Sequence, residues 1–276
     1  MDKQTPRSPR PPKPWKSADK KTLKRIKAVC FDIDETFSTQ GKITADAFSA
    51  LWALKRAGFI LIPITGRPSG WCDHIVRFWP VDAVVGENGA FVFFMKDGRR
   101  ARIDTPLGMN EDERRAQMIV LRDALGERFP EMQVASDQAY REYDIAVDIC
   151  EDVKAWTPER VNELVTFCQS RGAHAKVSSV HVNIWVGDFD KCRGIKNWLE
   201  QGAPGLKTRR IPKWDEMIFI GDSPNDEPNF AAYDWSVGVA NLKKYLPKLK
   251  TPPTWLTQAK SGDGFCEMAK KLLASR

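Results

Sequence analysis

Two carboxylates and a hydroxyl follow a short apolar run near residue 30. Ala28–Phe31 has the length of a buried strand, and Asp32, Asp34 and Thr36 come after it at alternate positions. Like charges in a poorly solvated place raise each other's pKa, so two such acids are unfavourable unless a cation accompanies them. Carboxylate oxygens are ligands that suit Mg²⁺. The run therefore predicts a metal-dependent catalytic edge, because open α/β folds bind ligands at the carboxyl ends of their strands.

Two more apolar runs of strand length also end in polar residues. The runs are Ile60–Ile64 and Met217–Ile220, and a helical stretch that opens with a lysine lies between them. The polar residues at these three places are, in chain order, Thr65, Gly66, Arg67, Lys191, Asp222, Asn225 and Asp226. Each piece alone has an ordinary explanation, as a turn or a solvated surface lysine. Their conjunction in one chain indicates a single site.

This ordered set resembles the four motifs of the haloacid dehalogenase (HAD) superfamily of phosphohydrolases: Asp-x-Asp-x-Thr, Ser/Thr, Lys and Gly-Asp-x-x-x-Asp. It is most similar to the branch that includes the Cof-like, sucrose-phosphate and mannosyl-3-phosphoglycerate phosphatases. Residues 221–226 match that branch's Gly-Asp-Ser-x-Asn-Asp, and residues 87–89 resemble its Glu-Asn-Gly segment. The resemblance covers residues 28–275. It implies an α/β fold, with a Rossmann-like parallel-sheet core and an inserted α/β cap domain.

The resemblance also implies catalytic roles. Asp32 would be the nucleophile that forms an aspartyl-phosphate, and Asp34 would be the general acid and then the general base. Thr65 would donate its hydroxyl to the phosphoryl oxygens. Lys191 would offset the negative charge, although Lys196 is an alternative because the family often has glycine directly after this lysine.

A magnesium ion is the cofactor that the resemblance implies. Its protein contacts would be Asp32, Asp222 and the backbone carbonyl of Asp34. Asn225 and Asp226 would lie behind these ligands and hold the lysine.

The substrate would be bound by the cap together with the edge of the core. Alternation along an extended strand places Ser179, His181 and Asn183 on one face, which is either a polar pocket or a solvated surface. Further candidate substrate-binding residues are Gly66, Arg67, Glu87 and Asn88. Arg67 would meet an anionic substrate or pair with an acid of the core. The ten tryptophans, Trp71 among them, are scattered, so we expect most of them to fill the core.

The pattern of elements predicts three segments. Residues 1–26 form a basic tail that we expect to be disordered, since it is rich in lysine and proline and has little to bury. Residues 27–94 and 185–276 form the catalytic core, whose β-α-β-α-β order implies a parallel sheet. Residues 95–184 form the cap, with a different pattern of hairpin, helices and half-buried strands.

The net charge of +7 belongs to the tail. Residues 1–27 carry ten Lys/Arg against two acids, whereas the rest of the chain carries 33 bases and 34 acids. A basic tail could contact nucleic acid or an anionic membrane, but we prefer a solvated extension without a partner. The chain lacks an apolar run long enough for a membrane span, and its six cysteines show no paired spacing. We therefore expect a reduced, cytoplasmic protein whose partner is a small phosphorylated metabolite.

Three functions are compatible with these residues. The first is a Mg²⁺-dependent phosphomonoesterase that acts on a sugar phosphate or a phosphorylated glycoside. The second is a phosphotransferase such as a phosphohexomutase, which uses the same aspartyl-phosphate. The third is a nucleic-acid-binding regulatory protein, which would not need to keep both Asp32 and Asp34. The complete set of site residues argues against the third, and of the other two we prefer the first.

Overall fold

The computed structural model describes residues 11–206 and 210–276 of the chain. Its strands and helices alternate along most of the sequence. In chain order they are β1 (Lys13–Pro14), α1 (Lys20–Leu23), β2 (Ala28–Phe31), α2 (Ala45–Arg56), β3 (Ile60–Pro63), α3 (Ser69–Phe78), β4 (Ala83–Gly86), β5 (Phe91–Lys96), β6 (Arg99–Asp104), α4 (Glu111–Arg128), β7 (Asp144–Asp148), α5 (Pro158–Gln169), β8 (His174–Val177), β9 (His181–Trp185), α6 (Lys191–Glu200), β10 (Met217–Gly221), α7 (Glu227–Ala232), β11 (Trp235–Gly238), β12 (Trp255–Leu256) and α8 (Ser261–Leu273). Among the described helices, none has the length and apolar character that crossing a bilayer requires.

Six parallel strands form the central sheet, in the order β1-β12-β11-β10-β2-β3. Every residue of β2, β3 and β10 is buried, which explains why these strands are continuous apolar runs. Val29 and Phe31 pack on the side of α2 and α8, whereas Ala28 and Cys30 pack on the side of α6 and α7. Helices therefore cover both faces of the sheet, and the predicted parallel α/β core is confirmed.

A smaller antiparallel sheet of β4, β5 and β6 lies beside β3. A parallel bridge between Ile64 and Val85 connects it to the central sheet. Val92 of β5 and Ile103 of β6 pack in the same apolar cluster as α6, on the core side of the molecule. We therefore propose that the cap begins after β6, and not at residue 95.

The insert between β6 and α6 folds around an apolar core of its own. Its three strands pair antiparallel in the order β7-β9-β8, and side chains of α4 and α5 pack with them. Thr157 caps the first turn of α5, as a threonine before proline predicts. Alternation along β9 sends Val182 and Ile184 into this core, so His181 and Asn183 lie on the other face.

The basic N-terminal segment is folded where the structure describes it. The prediction of disorder for residues 1–26 is wrong for residues 11–26. Here β1 pairs with β12, and Trp15 and Leu23 are fully buried in the main apolar cluster. Composition misled the prediction, because a few well-spaced apolar side chains suffice to anchor a short basic segment. The part of the prediction that concerns residues 1–10 lies outside the described residues.

Trp15 should contribute strongly to stability. Trp15→Ala removes a fully buried ring that meets Trp255 edge-on, with the ring centroids 6.2 Å apart. Such a change lowers the free energy of unfolding by ~3–5 kcal/mol, which urea titration would detect as a lower midpoint with an unchanged m-value. Trp52→Ala is the matched control, because Trp52 is 42% exposed. Equal losses in the two variants would show that the segment is not anchored to the core.

Candidate active site

Asp32, Thr65 and Asp222 lie at the carboxyl edge of the central sheet, and all three are buried. Asp32 follows β2 and Asp222 follows β10, and these neighbouring strands pair with Ile220 opposite Phe31. The backbone N–H of Asp32 donates to the carbonyl of Ile220 over 2.9 Å. Thr65 follows β3, the neighbour of β2 on its other side. The parallel register therefore brings the predicted polar clusters to one place.

Lys191, and not Lys196, reaches this edge. Its Nζ donates to Asp32 Oδ1 over 2.7 Å and to Asp226 Oδ1 over 2.6 Å, and it lies 3.3 Å from Asn225 Oδ1. Lys196 instead lies over an aromatic ring, 5.4 Å from its centroid. Burial disfavours the charged form of Lys191, but Asp226 and Asp32 raise its pKa above the ordinary value. The lysine is therefore charged and links two acids.

A glycine allows the helix of Lys191 to begin close to the sheet edge. Gly89 has a φ of +108°, and a Cβ there would lie only 1.9 Å from the carbonyl oxygen of Asp190. Asp190 caps α6 by accepting the N–H groups of Cys192 and Arg193. The glycine of the Glu-Asn-Gly segment is thus required by this close approach.

Three buried carboxylates next to Lys191 could hold a metal ion. Oxygens of Asp32, Asp222 and Asp226 lie within 4.8 Å of one another. Asp226 already uses both oxygens, since Oδ1 accepts from Lys191 while Oδ2 accepts the N–H groups of Asp222 and Ser223. Burial raises the pKa of Asp32 to about 8 and that of Asp222 well above its ordinary value. A hard cation would favour the ionised form of both acids. The donor set therefore fits Mg²⁺ held by Asp32 and Asp222.

Asp34 is paired with Arg67. The guanidinium Nη2 lies 2.8 Å from Asp34 Oδ1, and Nε lies 3.1 Å from Oδ2. The same guanidinium reaches the cap, with 2.8 Å to Glu151 Oε1 and 3.5 Å to Asp137 Oδ2. Arg67 therefore pairs with a core acid, one of its two predicted roles, and also connects that acid to the cap.

The cap closes over Asp32 and Asp34 to form a pocket. The cap residues in its wall are Arg141, Ser178, Ser179, Val180, His181 and Asn183. Nε2 of His181 lies 2.8 Å from Glu151 Oε2, and the contact with His181, followed by the hydrogen bonds from Arg67, lowers the pKa of Glu151 to about 2. Asn183 donates to Asp144 Oδ2 over 2.8 Å. The face of Ser179, His181 and Asn183 is thus a polar pocket wall and not a solvated surface.

Comparisons with known proteins bear on the fold. No protein-family model matches the chain, and no curated protein matches it in sequence. Among the similar solved structures is the C-terminal domain of trehalose-6-phosphate phosphatase from C. albicans, which is 13% identical and covers 95% of this chain and 98% of its own, with a TM-score of 0.68. A protein from Plasmodium vivax described as a HAD/COF-like hydrolase is 14% identical and covers 92% of this chain and 99% of its own, with a TM-score of 0.68. The sucrose-phosphatase from Synechocystis is 14% identical and covers 89% of this chain and 97% of its own, with a TM-score of 0.61.

The chain has the haloacid dehalogenase fold. The fold predicted from the motifs is confirmed, and the match spans both the parallel core and the cap. At these identities the comparisons concern the fold, so the chemistry of this HAD-like protein has to be argued from its own residues.

Two predicted substrate-binding residues of this HAD-like fold do not line the pocket. The carboxylate of Glu87 accepts three backbone N–H groups, among them those of Glu142 and Tyr143 in the cap, at 3.0 and 2.6 Å. Contrary to the expectation, Glu87 therefore positions a cap segment, because its oxygens are occupied. Asn88 is buried and packs against Gly66. A Cβ added at Gly66 would lie 3.1 Å from Asn88 Oδ1. Gly66 itself does line the pocket.

Sequence reasoning missed three contributors to the site. Arg141, whose side chain is fully buried, donates to the carbonyl of Gly66 over 2.9 Å. Glu151 links Arg67 to the cap histidine, and Asn241 donates to Asp222 Oδ2 over 3.3 Å. Arg141 and Glu151 stand in irregular cap segments with no local signal. Asn241 could have been found, since it ends a Val-Gly-Val-Ala-Asn segment that resembles the family.

Glu87 should make stability depend on pH. Burial, followed by repulsion from Asp144, raises its pKa from 4.5 to about 8. The backbone N–H groups of Tyr143 and Glu142 and the charge of Arg141 oppose this shift only in part. Arg114 and Cys72 also interact with it electrostatically. The folded protein therefore binds a proton at pH values where the unfolded chain has lost it. The wild type should become less stable relative to Glu87→Gln as pH rises from about 4.5 to 8, by at most ~1.4 kcal/mol per pH unit.

Urea unfolding of both proteins at several pH values across this range would measure the effect. The lost hydrogen bonds of the glutamine variant add an offset that does not depend on pH, so only the slope matters. Glu113→Gln, which removes one carboxylate at an exposed position of α4, is the matched control. A difference between wild type and Glu87→Gln that stays constant with pH would contradict the assignment.

Proposed function

We propose that this protein is a Mg²⁺-dependent phosphomonoesterase that hydrolyses a sugar phosphate or a phosphorylated glycoside through an aspartyl-phosphate. The observation that carries the proposal is Lys191, whose Nζ lies 2.7 Å from Asp32 and 2.6 Å from Asp226, beside the buried Asp222. This arrangement combines a nucleophile, a cation for the phosphoryl oxygens and metal-binding acids in one water-poor place. A sugar substrate is supported by the trehalose-6-phosphate phosphatase and the sucrose-phosphatase of similar fold.

Asp32 is the nucleophile of the proposed reaction. Its Oδ1 is held by Lys191, which leaves Oδ2 to attack phosphorus while the bond from phosphorus to the leaving alcohol oxygen breaks. Asp34 donates its proton to that oxygen and later takes a proton from the water that cleaves the aspartyl-phosphate. Arg67 has to withdraw from Asp34 first, because its guanidinium occupies both oxygens of that carboxylate.

The metal would be held by the carboxylates of Asp32 and Asp222 and by the backbone carbonyl of Asp34. When bound there it would neutralise part of the charge on the phosphoryl oxygens. Asp226 would keep Lys191 in place and orient the backbone of Asp222, as its hydrogen bonds indicate.

Recognition of the substrate would be shared between core and cap. The hydroxyl of Thr65 and the N–H of Gly66 are the proposed donors to the phosphoryl oxygens at the core edge. Ser179, His181 and Asn183 face them from the cap and would meet the leaving group. Opening and closing of the cap would then control entry and release.

Asp32→Asn should abolish release of phosphate, because an amide is not a nucleophile. Asp34→Asn should lose ~10²–10⁴-fold in kcat, and it should trap phosphate on Asp32 when the leaving group is good. The measurement is release of inorganic phosphate from a panel of sugar phosphates, phosphoglycerate glycosides and nucleotides. Asp46→Asn, at an exposed position of α2, makes the same chemical change outside the site and should leave turnover unchanged.

Near wild-type turnover by Asp32→Asn would rule out Asp32 as the nucleophile and with it the aspartyl-phosphate mechanism. A phosphohexomutase would be recognised in the same panel, because it would isomerise hexose phosphates with a bisphosphate primer and release no phosphate.

Activity should depend on Mg²⁺ and disappear in chelator. Ca²⁺ should support it poorly, because its longer and looser coordination spoils the geometry of in-line attack. In a thermal melt Mg²⁺ should raise the Tm of the wild type, since a ligand that binds only the folded state stabilises it. Asp222→Asn should need at least ~10-fold more Mg²⁺ for half of either effect. Full activity after exhaustive dialysis against chelator would contradict the metal assignment.

A further inference from the structure

Two exposed aromatic rings line a cavity beside the reaction pocket. Trp71 of α3 is 47% exposed and Tyr140 of the cap is 60% exposed. Together with Gly70 and His74 they line an open cavity of about 310 Å³ on the surface. Large exposed rings that cluster at one place usually mark a binding site. Trp71 is thus an exception to the expectation that most of the tryptophans fill the core.

The aromatic cavity and the reaction pocket share a wall. The guanidinium of Arg67 lies over the Trp71 ring, 4.7 Å from its centroid, and the same group binds Asp34 at 2.8 Å. Arg141, which directly follows Tyr140, lines the reaction pocket together with Arg67. One guanidinium group therefore separates the Trp71 ring from the proposed general acid. A leaving group that extends from the phosphate past Arg67 would reach the aromatic cavity.

The geometry of the cavity is held by contacts between core and cap. Ser69 Oγ donates to the carbonyl of Tyr140 over 2.8 Å. The Tyr140 side chain packs closely on Gly70. A Cβ added at Gly70 would lie 3.3 Å from Cβ and Cγ of Tyr140. Trp71 comes from the core and Tyr140 from the cap, so both rings line the cavity only when the cap is closed.

The two cavities differ greatly in size. The reaction pocket leaves about 10 Å³ free in this closed form, which is space for about one water molecule. The aromatic cavity, at about 310 Å³, is about twice the ~150 Å³ of an apolar cavity that can hold benzene, a ring of six heavy atoms. That is close to the size of one sugar ring, which has about a dozen heavy atoms.

We propose that Trp71 and Tyr140 form a stacking subsite for a second sugar ring in the leaving group, so that the substrate class is a phosphorylated disaccharide or other glycoside. The inference rests on the proposed function and assigns a place for the part of the substrate that carries no phosphate. A pyranose ring has apolar C–H faces that pack on aromatic rings and hydroxyl groups at its edge that stay solvated. Sites for small molecules combine such aromatic walls with a few polar groups, here His74 and Arg67.

The test compares trehalose 6-phosphate, which has two rings, with glycerol 3-phosphate, which has none. Trp71→Ala and Tyr140→Ala should each raise KM for the disaccharide phosphate roughly three- to tenfold, with little change in kcat. Neither should change KM for glycerol phosphate by more than about twofold. Trp71→Phe should restore most of the affinity, because it keeps a ring. Trp52→Ala is the matched control, since Trp52 is 42% exposed on α2, away from the cavity.

A purely structural role of Trp71 would give a different result. If the ring only held Arg67 in place, Trp71→Ala would impair both substrates equally and Tyr140→Ala would have no effect. That pattern would show that Trp71 and Tyr140 do not form a subsite for a second sugar ring.

Binding of sugars without phosphate separates this inference from the proposed function. Saturation-transfer NMR with trehalose, sucrose and maltose, and with glycerol as the negative probe, requires no turnover. Binding of at least one disaccharide that weakens in Trp71→Ala and Tyr140→Ala, but not in Trp52→Ala, would support the subsite even if no phosphate were released. If no disaccharide bound the wild type, or if the ring variants bound it equally well, the subsite would be wrong even in an active phosphatase.

Discussion

The ammonium group of Lys191, held between the carboxylates of Asp32 and Asp226, is the contact on which the site depends. Charges removed from water are tolerated only when they are paired and hydrogen-bonded. Burial and the mutual repulsion of the acids raise the pKa of Asp32 and of Asp222, because one ammonium cannot balance three buried carboxylates. In the proposed reaction a bound cation would favour the ionised form of both acids and would let an anionic phosphate approach. The electrostatic imbalance of the protein alone thus explains why metal and phosphate would bind together.

The parallel sheet brings the residues of the site to one edge. Because β2 lies between β10 and β3, the residues that follow these strands meet at one edge although they are distant in the sequence. Two glycines make the approach possible, since a Cβ at Gly89 would lie 1.9 Å from the Asp190 carbonyl oxygen and one at Gly221 would lie 2.4 Å from Asp226 Oδ2. The backbone at these two positions is therefore part of the site.

The junction of cap and core is built largely from charged groups. Arg67 binds acids of both parts, Arg141 of the cap binds the carbonyl of Gly66, and Glu87 of the core binds the backbone of the cap. Such contacts are directional and can be exchanged for contacts with water, so they can hold a closed state without making it permanent. This would suit the proposed opening of the cap, because an extensive apolar junction would resist opening.

The sequence by itself determined the parts of this protein whose signals are local. Apolar runs that end in polar residues identified the strand ends with Asp32 and Asp222, the resemblance to the family motifs indicated Lys191, and alternation placed His181 and Asn183 on one face. Only the tertiary structure decided the partners of Arg67 and Glu87, the burial of Trp15 and the exposure of Trp71. These outcomes depend on which loops meet across long separations, as Arg67 meets Glu151, 84 residues away. Neither periodicity nor spacing carries information about such meetings, because they follow from the packing of whole elements.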